Sequence, residues 1–306
     1  MIQAVSIISG AGELRLTQRD GGLPTTFAAG AAPGESGVSV LGVRFVGGVH
    51  LAGTPQFHLV CFQLGQARFD CRIGSRTLQH HPAAGSLAVC PAGMDCAADA
   101  DRGVDAVLVT VDPRQLALAV AEDSGLEARL LERLSGHDPV LLDLARTLAI
   151  ESADGYPNGP WYWNEKADGF IAGLLAGHTV RFEGRARGRL GKTTLRRLRD
   201  YILAHLQQPI AVGTLAEMAG RSPFNFSRVF TRSVGVTPHR YIVHLRLQRA
   251  IELVREGRSS LAEIAVRTGF ADQSHLWRWV RRVHGISLAQ IGAAYDAIRC
   301  ERQEYP

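Results

Sequence analysis

The spacing of apolar residues changes character twice along this chain. From Val38 to Val111 the apolar runs are short and cut by Gly or Pro, as in VSVLGVRFVGGVHL, FHLVCFQLG, ARFDCRIG, SLAVCPAG and AVLVTVDP. Short strands with turns at close intervals predict a sheet sandwich or a small barrel. Within GSLAVCPAGMDCAADA the pattern predicts two strands joined through Pro91-Ala92-Gly93. Residues 1 to about 37 are rich in Gly and Ala and carry few periodic signals. After Asp112-Pro113 the period turns helical. Leu116, Val120, Leu126, Leu130, Leu131 and Leu134 predict one or two helices between Pro113 and Gly136. Leu141, Leu142, Leu144, Leu148 and Ile150 predict another, and Phe170, Ile171, Leu174 and Leu175 a third from about Trp161 to Val180. These helices either form a dimer interface or simply cap the strands.

The second change follows residues 181–191, where RFEGRARGRLG combines Gly with Arg in a linker composition. From Thr193 a helix is specified by Leu195, Leu198, Ile202 and Leu206 and ended by Pro209. A pattern then occurs twice. Val212, Leu215, Ala216 and Gly220 recur as Leu261, Ile264, Ala265 and Gly269, at an offset of 49. In each copy a short apolar-faced helix leads through a Gly turn to a second helix. Ser222 is placed to cap the first of these second helices, with Pro223 at its first position, and Asp272 to cap the other. Leu276, Val280 and Val283 face inward in the second copy, while Gln273, Ser274, Trp277, Arg278 and Arg281 face out. Between the copies, Pro238 to Glu256 reads as one long helix with Tyr241, Leu245, Ala250 and Val254 apolar. Helix, Gly turn and cationic helix is the helix-turn-helix pattern, and a second copy makes it specific.

Charge sharpens this division. From Arg181 onward there are 22 Lys and Arg against 10 Asp and Glu, while the preceding residues hold 12 against 19. One half therefore suits a polyanion and the other does not. The five cysteines, Cys61, Cys71, Cys90, Cys96 and Cys300, form no CxxC and are odd in number, which fits a reducing compartment. Cys90 and Cys96 flank a turn; they are either a thiol sensor or, as the commoner case, small buried hydrophobes. His50, His58, His80 and His81 invite a metal reading. A metal-binding barrel needs His-x-His with a nearby Glu, but His80 and His81 are adjacent and no Glu lies between Glu35 and Glu122. No metal and no cofactor are expected. The start MIQAVSIISGAG lacks a signal-peptide pattern and no apolar run reaches membrane length, so a cytoplasmic location without membrane contact is expected.

Over residues 192–300, LAEMAGRSPFNFSRVFTRSVGVTPHRYI, HLRLQRAIELV and IAVRTGFADQSHLWRWVRRVHGIS resemble the DNA-binding domain of the AraC/XylS family of transcription regulators. The resemblance implies seven helices, with two recognition helices entering successive major-groove segments of double-stranded DNA. It also implies that residues 1–180 are a cupin-like β-barrel with dimerisation helices, giving an α+β multidomain protein with an all-α C-terminal part. The chain departs from the family pattern at Leu288, where Pro is usual, and in the aromatic pair of the second recognition helix, with Leu276 and Val280 inside and Trp277 and Trp279 added.

By position in the matching motif, Phe224, Asn225, Ser227 and Arg228 face the groove in the first unit, and Gln273, Ser274, Trp277 and Arg278 in the second. Arg228 is the best candidate for a bidentate guanine contact, Asn225 for adenine and Phe224 for a thymine methyl. A phosphate contact remains the alternative for Arg228 and Arg278, and interhelical packing for Trp277. Lys192, Arg196, Arg197, Arg232, Arg240, Arg281 and Arg282 are phosphate candidates, which position rather than specify. The expectation is a homodimeric transcription regulator and not an enzyme. Its N-terminal part binds a small-molecule effector, and it contacts RNA polymerase if it activates. The alternatives are a constitutive DNA binder whose N-terminal part only dimerises, or a metal-dependent cupin enzyme with a DNA-binding appendage.

Overall fold

The computed structural model describes residues 5–8, 13–18, 25–31, 36–123, 127–182 and 188–285. Two compact units divide between Val180 and Arg181, the second also taking up the segment from Ala117. In chain order the first part runs β1 (Val5–Ile8), β2 (Glu13–Gln18), β3 (Thr25–Ala31), β4 (Val38–Arg44), β5 (Val49–Gly53), β6 (His58–Gln63), β7 (Phe69–Ile73) and β8 (Arg76–His80). It continues with β9 (Ser86–Cys90), β10 (Cys96–Ala100), β11 (Asp105–Val111), α1 (Pro113–Asp123), β12 (Glu127–Leu130), β13 (Arg133–His137), α2 (Pro139–Ala153), α3 (Gly159–Gly177) and β14 (Thr179–Phe182).

Two six-stranded antiparallel sheets result, ordered β1-β2-β5-β10-β7-β8 and β13-β9-β6-β11-β4-β3. They face each other across one core. Leu14, Leu16, Leu51, Phe69 and Ile73 from the first meet Val43, Leu59, Leu108 and Leu134 from the second. Among the described residues no strand pairing closes one sheet onto the other, so the arrangement is an open sandwich. Pro91-Ala92-Gly93 joins β9 to β10 as expected, but it hands the chain from one sheet to the other.

The second sheet is buried on both faces, because residues alternate along each strand. Leu59 and Leu108 point to the first sheet, while Val60, Phe62, Val107 and Val109 lie buried on the other face beneath α2 and α3. The Phe62 and Phe170 rings meet edge to face at 6.3 Å. Asp138 caps α2, accepting from the Leu141 N–H at 3.0 Å, and also binds His178 Nε2 at 3.0 Å, which latches the end of α3 to the start of α2.

Three expectations are corrected here. Leu126 to Leu134 does not continue a helix: β13 completes the sheet beside β9, with Arg133 opposite Val89, and Leu134 enters the core between the sheets. A free strand edge outweighs local period. The third helix ends at Gly177, where β14 pairs with β12 instead. The Gly- and Ala-rich start contains three strands. Its small residues mark close packing: a Cβ at Gly30 would collide with the Ser152 side chain of α2, and the Phe27 ring lies across Gly42.

The second part has α4 (Lys192–Ala204), α5 (Val212–Met218), α6 (Pro223–Val234), α7 (Pro238–Glu256), α8 (Leu261–Arg267) and α9 (Gln273–His284). Leu198, Ile202, Leu206, Leu215, Phe226, Phe230, Tyr241 and Leu245 form its main core. A seventh helix, Leu288 and Cys300 lie outside the described residues, as do residues 183–187 of the expected linker.

Two outcomes follow from the packing. Gly220 and Gly269 both adopt positive φ, +63° and +77°. A Cβ at Gly220 meets open space, whereas one at Gly269 runs into the Leu206 carbonyl oxygen and the Arg246 guanidinium. Gly220→Ala should cost about 1 kcal/mol, the left-handed penalty alone, and Gly269→Ala clearly more. Equal midpoints in urea for the two variants would contradict this. Burial pushes the imidazoles of His58 and His284 down to about 4. His58 Nδ1 accepts from the Ala92 N–H at 3.1 Å, so its neutral form is the bonded one. A folded pKa below the unfolded one gives stability that is present above pH ~6.5 and lost as pH falls toward 4, of order 2 kcal/mol per site. His58→Gln, which retains an acceptor, should flatten that dependence in thermal unfolding of the first unit.

Candidate nucleic-acid interface

Each of the two repeated units presents one strongly two-faced helix. In α6 the Ser222 hydroxyl accepts from the Asn225 N–H and Pro223 occupies the first turn, which fixes where the helix starts. Phe226, Val229, Phe230 and Val234 are buried at helical spacing. Phe226 and Phe230 pack at 5.4 Å and Phe230 meets Tyr241 of α7 at 5.5 Å. The opposite face carries Phe224, 84% exposed, together with Arg228 and Arg232. Asn225 and Ser227 are half-buried, and the Ser227 hydroxyl donates to the Pro223 carbonyl at 3.0 Å. A phenylalanine left in water on a helix whose other aromatics are buried marks a surface that meets something.

The second unit repeats the design with one added residue. Asp272 accepts from the His275 N–H at 2.7 Å, and Leu276 and Val280 are fully buried. Gln273, Ser274, Trp277, Arg278, Arg281 and Arg282 are exposed. The two added tryptophans part company. Trp279 donates its Nε1–H to His275 Nε2 at 3.1 Å and lies under Arg282, so it is held on the protein. Trp277 is 40% exposed with the Arg281 guanidinium 5.1 Å from its ring. His275 stands edge-on to Phe270 and positions Trp279.

The cations fall into two groups. Arg246 donates to the Gln208 carbonyl at 2.8 Å and Arg249 pairs with Glu252 at 2.8 Å, so both hold the fold together. Lys192, Arg196 and Arg197 are exposed on the first turns of α4, and Arg240 is half-buried at the start of α7. Arg228 and Arg232 open, with Arg221, Asn225, Val229 and Gly188, onto a concavity of about 450 Å³ that no carboxylate lines among the described residues. Arg221 sits between Gly220 and the cap Ser222, and its Nε is buried with no acceptor among the described residues. Arg221 is not among the residues that position in the motif nominates. A cation placed between a turn glycine and a helix cap was the available signal.

Two helix-turn-helix units sharing one long helix define a tandem reader fold. Residues 215–293 match the family described as a helix-turn-helix domain. That match falls within the part of the chain that resembles the AraC/XylS DNA-binding domain. It is 35% identical over 88 residues to the probable transcriptional regulator LumQ of Photobacterium leiognathi, covering 29% of this chain and 36% of that protein. Against the transcriptional activator RhaS of Salmonella schwarzengrund it is 33% identical over 104 residues, covering 34% and 37%. The chain thus spans about a third of the length of these curated relatives, both named for transcriptional regulation. The solved structure of ToxT from Vibrio cholerae aligns over 84% of this chain and 98% of its own, at 9% identity and a TM-score of 0.35.

The outward residues should be separable from the fold. Ser222→Ala should cost about 1 kcal/mol by removing the cap, while Phe224→Ala should stay within about 0.5 kcal/mol. A large loss for Phe224→Ala in denaturant unfolding would mean that the ring packs rather than projects.

Proposed function

We propose that the chain is a transcription regulator that binds double-stranded DNA through α6 and α9. The observation that carries this is the repetition itself. Two helices, each with a side-chain N-cap, a buried apolar stripe and a cationic outer face, belong to units joined by the 19 residues of α7. At ~1.5 Å per residue α7 spans roughly 28 Å, comparable with one turn of DNA at ~34 Å. In this reading Phe224, Asn225, Ser227 and Arg228 meet one groove segment and Gln273, Ser274, Trp277 and Arg278 the next. Lys192, Arg196, Arg197, Arg232, Arg240, Arg281 and Arg282 face phosphates. The open sandwich is then a cupin-like sensory part, and the protein a cytoplasmic homodimer that meets RNA polymerase when it activates.

The effector reading is supported by a cavity between the two sheets, with about 790 Å³ of space partly open to solvent. Phe45, Leu51, Leu59, Phe69 and Leu108 line it, with the thiols of Cys61, Cys71, Cys90 and Cys96. Burial pushes the Cys61 thiol up strongly and the Cys71 thiol to about 11, so these sulfurs are protonated and neutral. Arg72, at the edge, is held by Asp95 at 2.6 Å. Such a wall takes an uncharged, mainly apolar molecule. A ligand that prefers one arrangement of the protein shifts its DNA binding by that preference.

DNA affinity should fall steeply with salt, with a slope of about −0.9 per phosphate neutralised. A flat response on DNA recovered from a random pool would contradict the assignment. Ala98→Trp, which fills the cavity from β10, should abolish the thermal stabilisation given by uncharged apolar compounds and leave DNA binding in place. If no such compound stabilises the parent protein, the N-terminal part only dimerises.

A further inference from the structure

Arg228 and Arg232 are one helical turn apart on α6 and therefore neighbours on its surface. Arg221 joins them from the turn that precedes the helix, and the three share the concavity described above. Its far wall is backbone. A Cβ at Gly188 would stand 3.1 Å from Arg232 Nη1, and the Leu190 N–H donates to Ser233 Oγ at 2.8 Å, which holds the chain before α4 against α6. None of the three arginines has an ion-pair partner among the described residues. Three like charges around one hollow repel each other, and the buried Arg221 Nε lacks an acceptor. One oxyanion seated between them resolves both, and guanidinium forks match phosphate oxygens.

We propose that Arg221, Arg228 and Arg232 form a single clamp for one backbone phosphate of the DNA, and that Arg228 belongs to that phosphate rather than to a guanine. This rests on the DNA-binding reading. The hollow opens beside Asn225 and Arg228, on the face of α6 assigned to the groove, so the oxyanion within reach there is the phosphate at the groove edge. In the first unit, direct base contact then falls to Phe224, whose exposed ring suits a thymine methyl, with Asn225 and Ser227. Arg228 positions the helix and does not specify the base.

The test uses the full-length protein, a DNA site recovered from a random pool, and Arg221→Gln, Arg228→Gln and Arg232→Gln. Each variant should weaken the site and all its single-base substitutions by the same factor, and the triple variant should lower the salt slope by about 1. Circular dichroism should show parental helicity. A methylphosphonate walked along the site should find one linkage that weakens the parent and does not further weaken the triple variant. If Arg228→Gln relaxes preference at one base while the other two variants do not, Arg228 reads a base and the clamp is wrong. Saturable binding of pyrophosphate that needs all three arginines yet leaves DNA affinity unchanged would assign the hollow to a free anion and also overturn it. A parent that recovers no DNA refutes the DNA reading and the clamp together. A parent with a steep salt slope that the triple variant shares refutes the clamp alone.

Discussion

The Arg221 N–H donates to the Ala216 carbonyl at 2.9 Å, and the Phe270 N–H donates to the Ala265 carbonyl at the same distance. Each bond spans the end of a seven-residue helix and closes only if the intervening residue, Gly220 or Gly269, is left-handed. This closure sets the angle at which α6 and α9 leave their partner helices. Leu215 and Ala216 can then pack against Phe226 and Phe230 while Phe224 and Arg228 stay outside. A residue with a Cβ at either turn would strain the geometry from which both outward faces derive. In the second unit it would also push on Leu206, so the second turn is tied to the end of α4 while the first is open.

Around these turns, charge is sorted by whether it is answered. Arg246 and Arg249 have carbonyl or carboxylate partners and serve the helices that carry them. Arg221, Arg228 and Arg232 gather at one hollow with no carboxylate in its lining among the described residues. A surface merely made soluble by arginine would intersperse acids with them. The excess of cations over the whole C-terminal half is consistent with a polyanion, but only this sorting says which cations are available to meet it.

Regular local patterns made much of the C-terminal part legible in sequence. The 49-residue offset, Ser222 before Pro223, Asp272 before an apolar stripe and the run from Pro238 to Glu256 all reappear as elements. Caps and helical stripes are local, so the sequence carries them. What it did not carry was long-range. Leu126 to Leu134 has a helical spacing, yet the edge of β9 makes a strand of Arg133–His137. Gly30 lies in a stretch with few periodic signals because its purpose is to let α2 approach. At the candidate interface, motif position turned Trp277 and Trp279 up together, and only the His275 hydrogen bond separates the held ring from the projecting one. Arg221 was passed over for the same reason, since a hollow is made by residues from three places in the chain.

The N-terminal cavity shows why no motif announces it. Cys61 pairs with Ala88, two residues from Cys90, and Cys71 pairs with Ala98, two residues from Cys96. With a side-chain period of two, each sheet therefore turns a diagonal pair of thiols to the same face. Spacings of 10, 19 and 6 along the sequence carry no trace of this convergence. Among the described residues no group of three or more His, Cys, Asp or Glu is placed to hold a metal. The neutral thiols of Cys61 and Cys71 are polarisable apolar surface, which makes that part of the wall adaptable. In the proposed reading the two halves of the chain thus recognise opposite kinds of matter. The basic half takes a polyanion with unanswered arginines, and the acidic half presents a mainly apolar cavity. Effector and DNA then do not compete for the same chemistry, which a regulator needs if one is to report on the other.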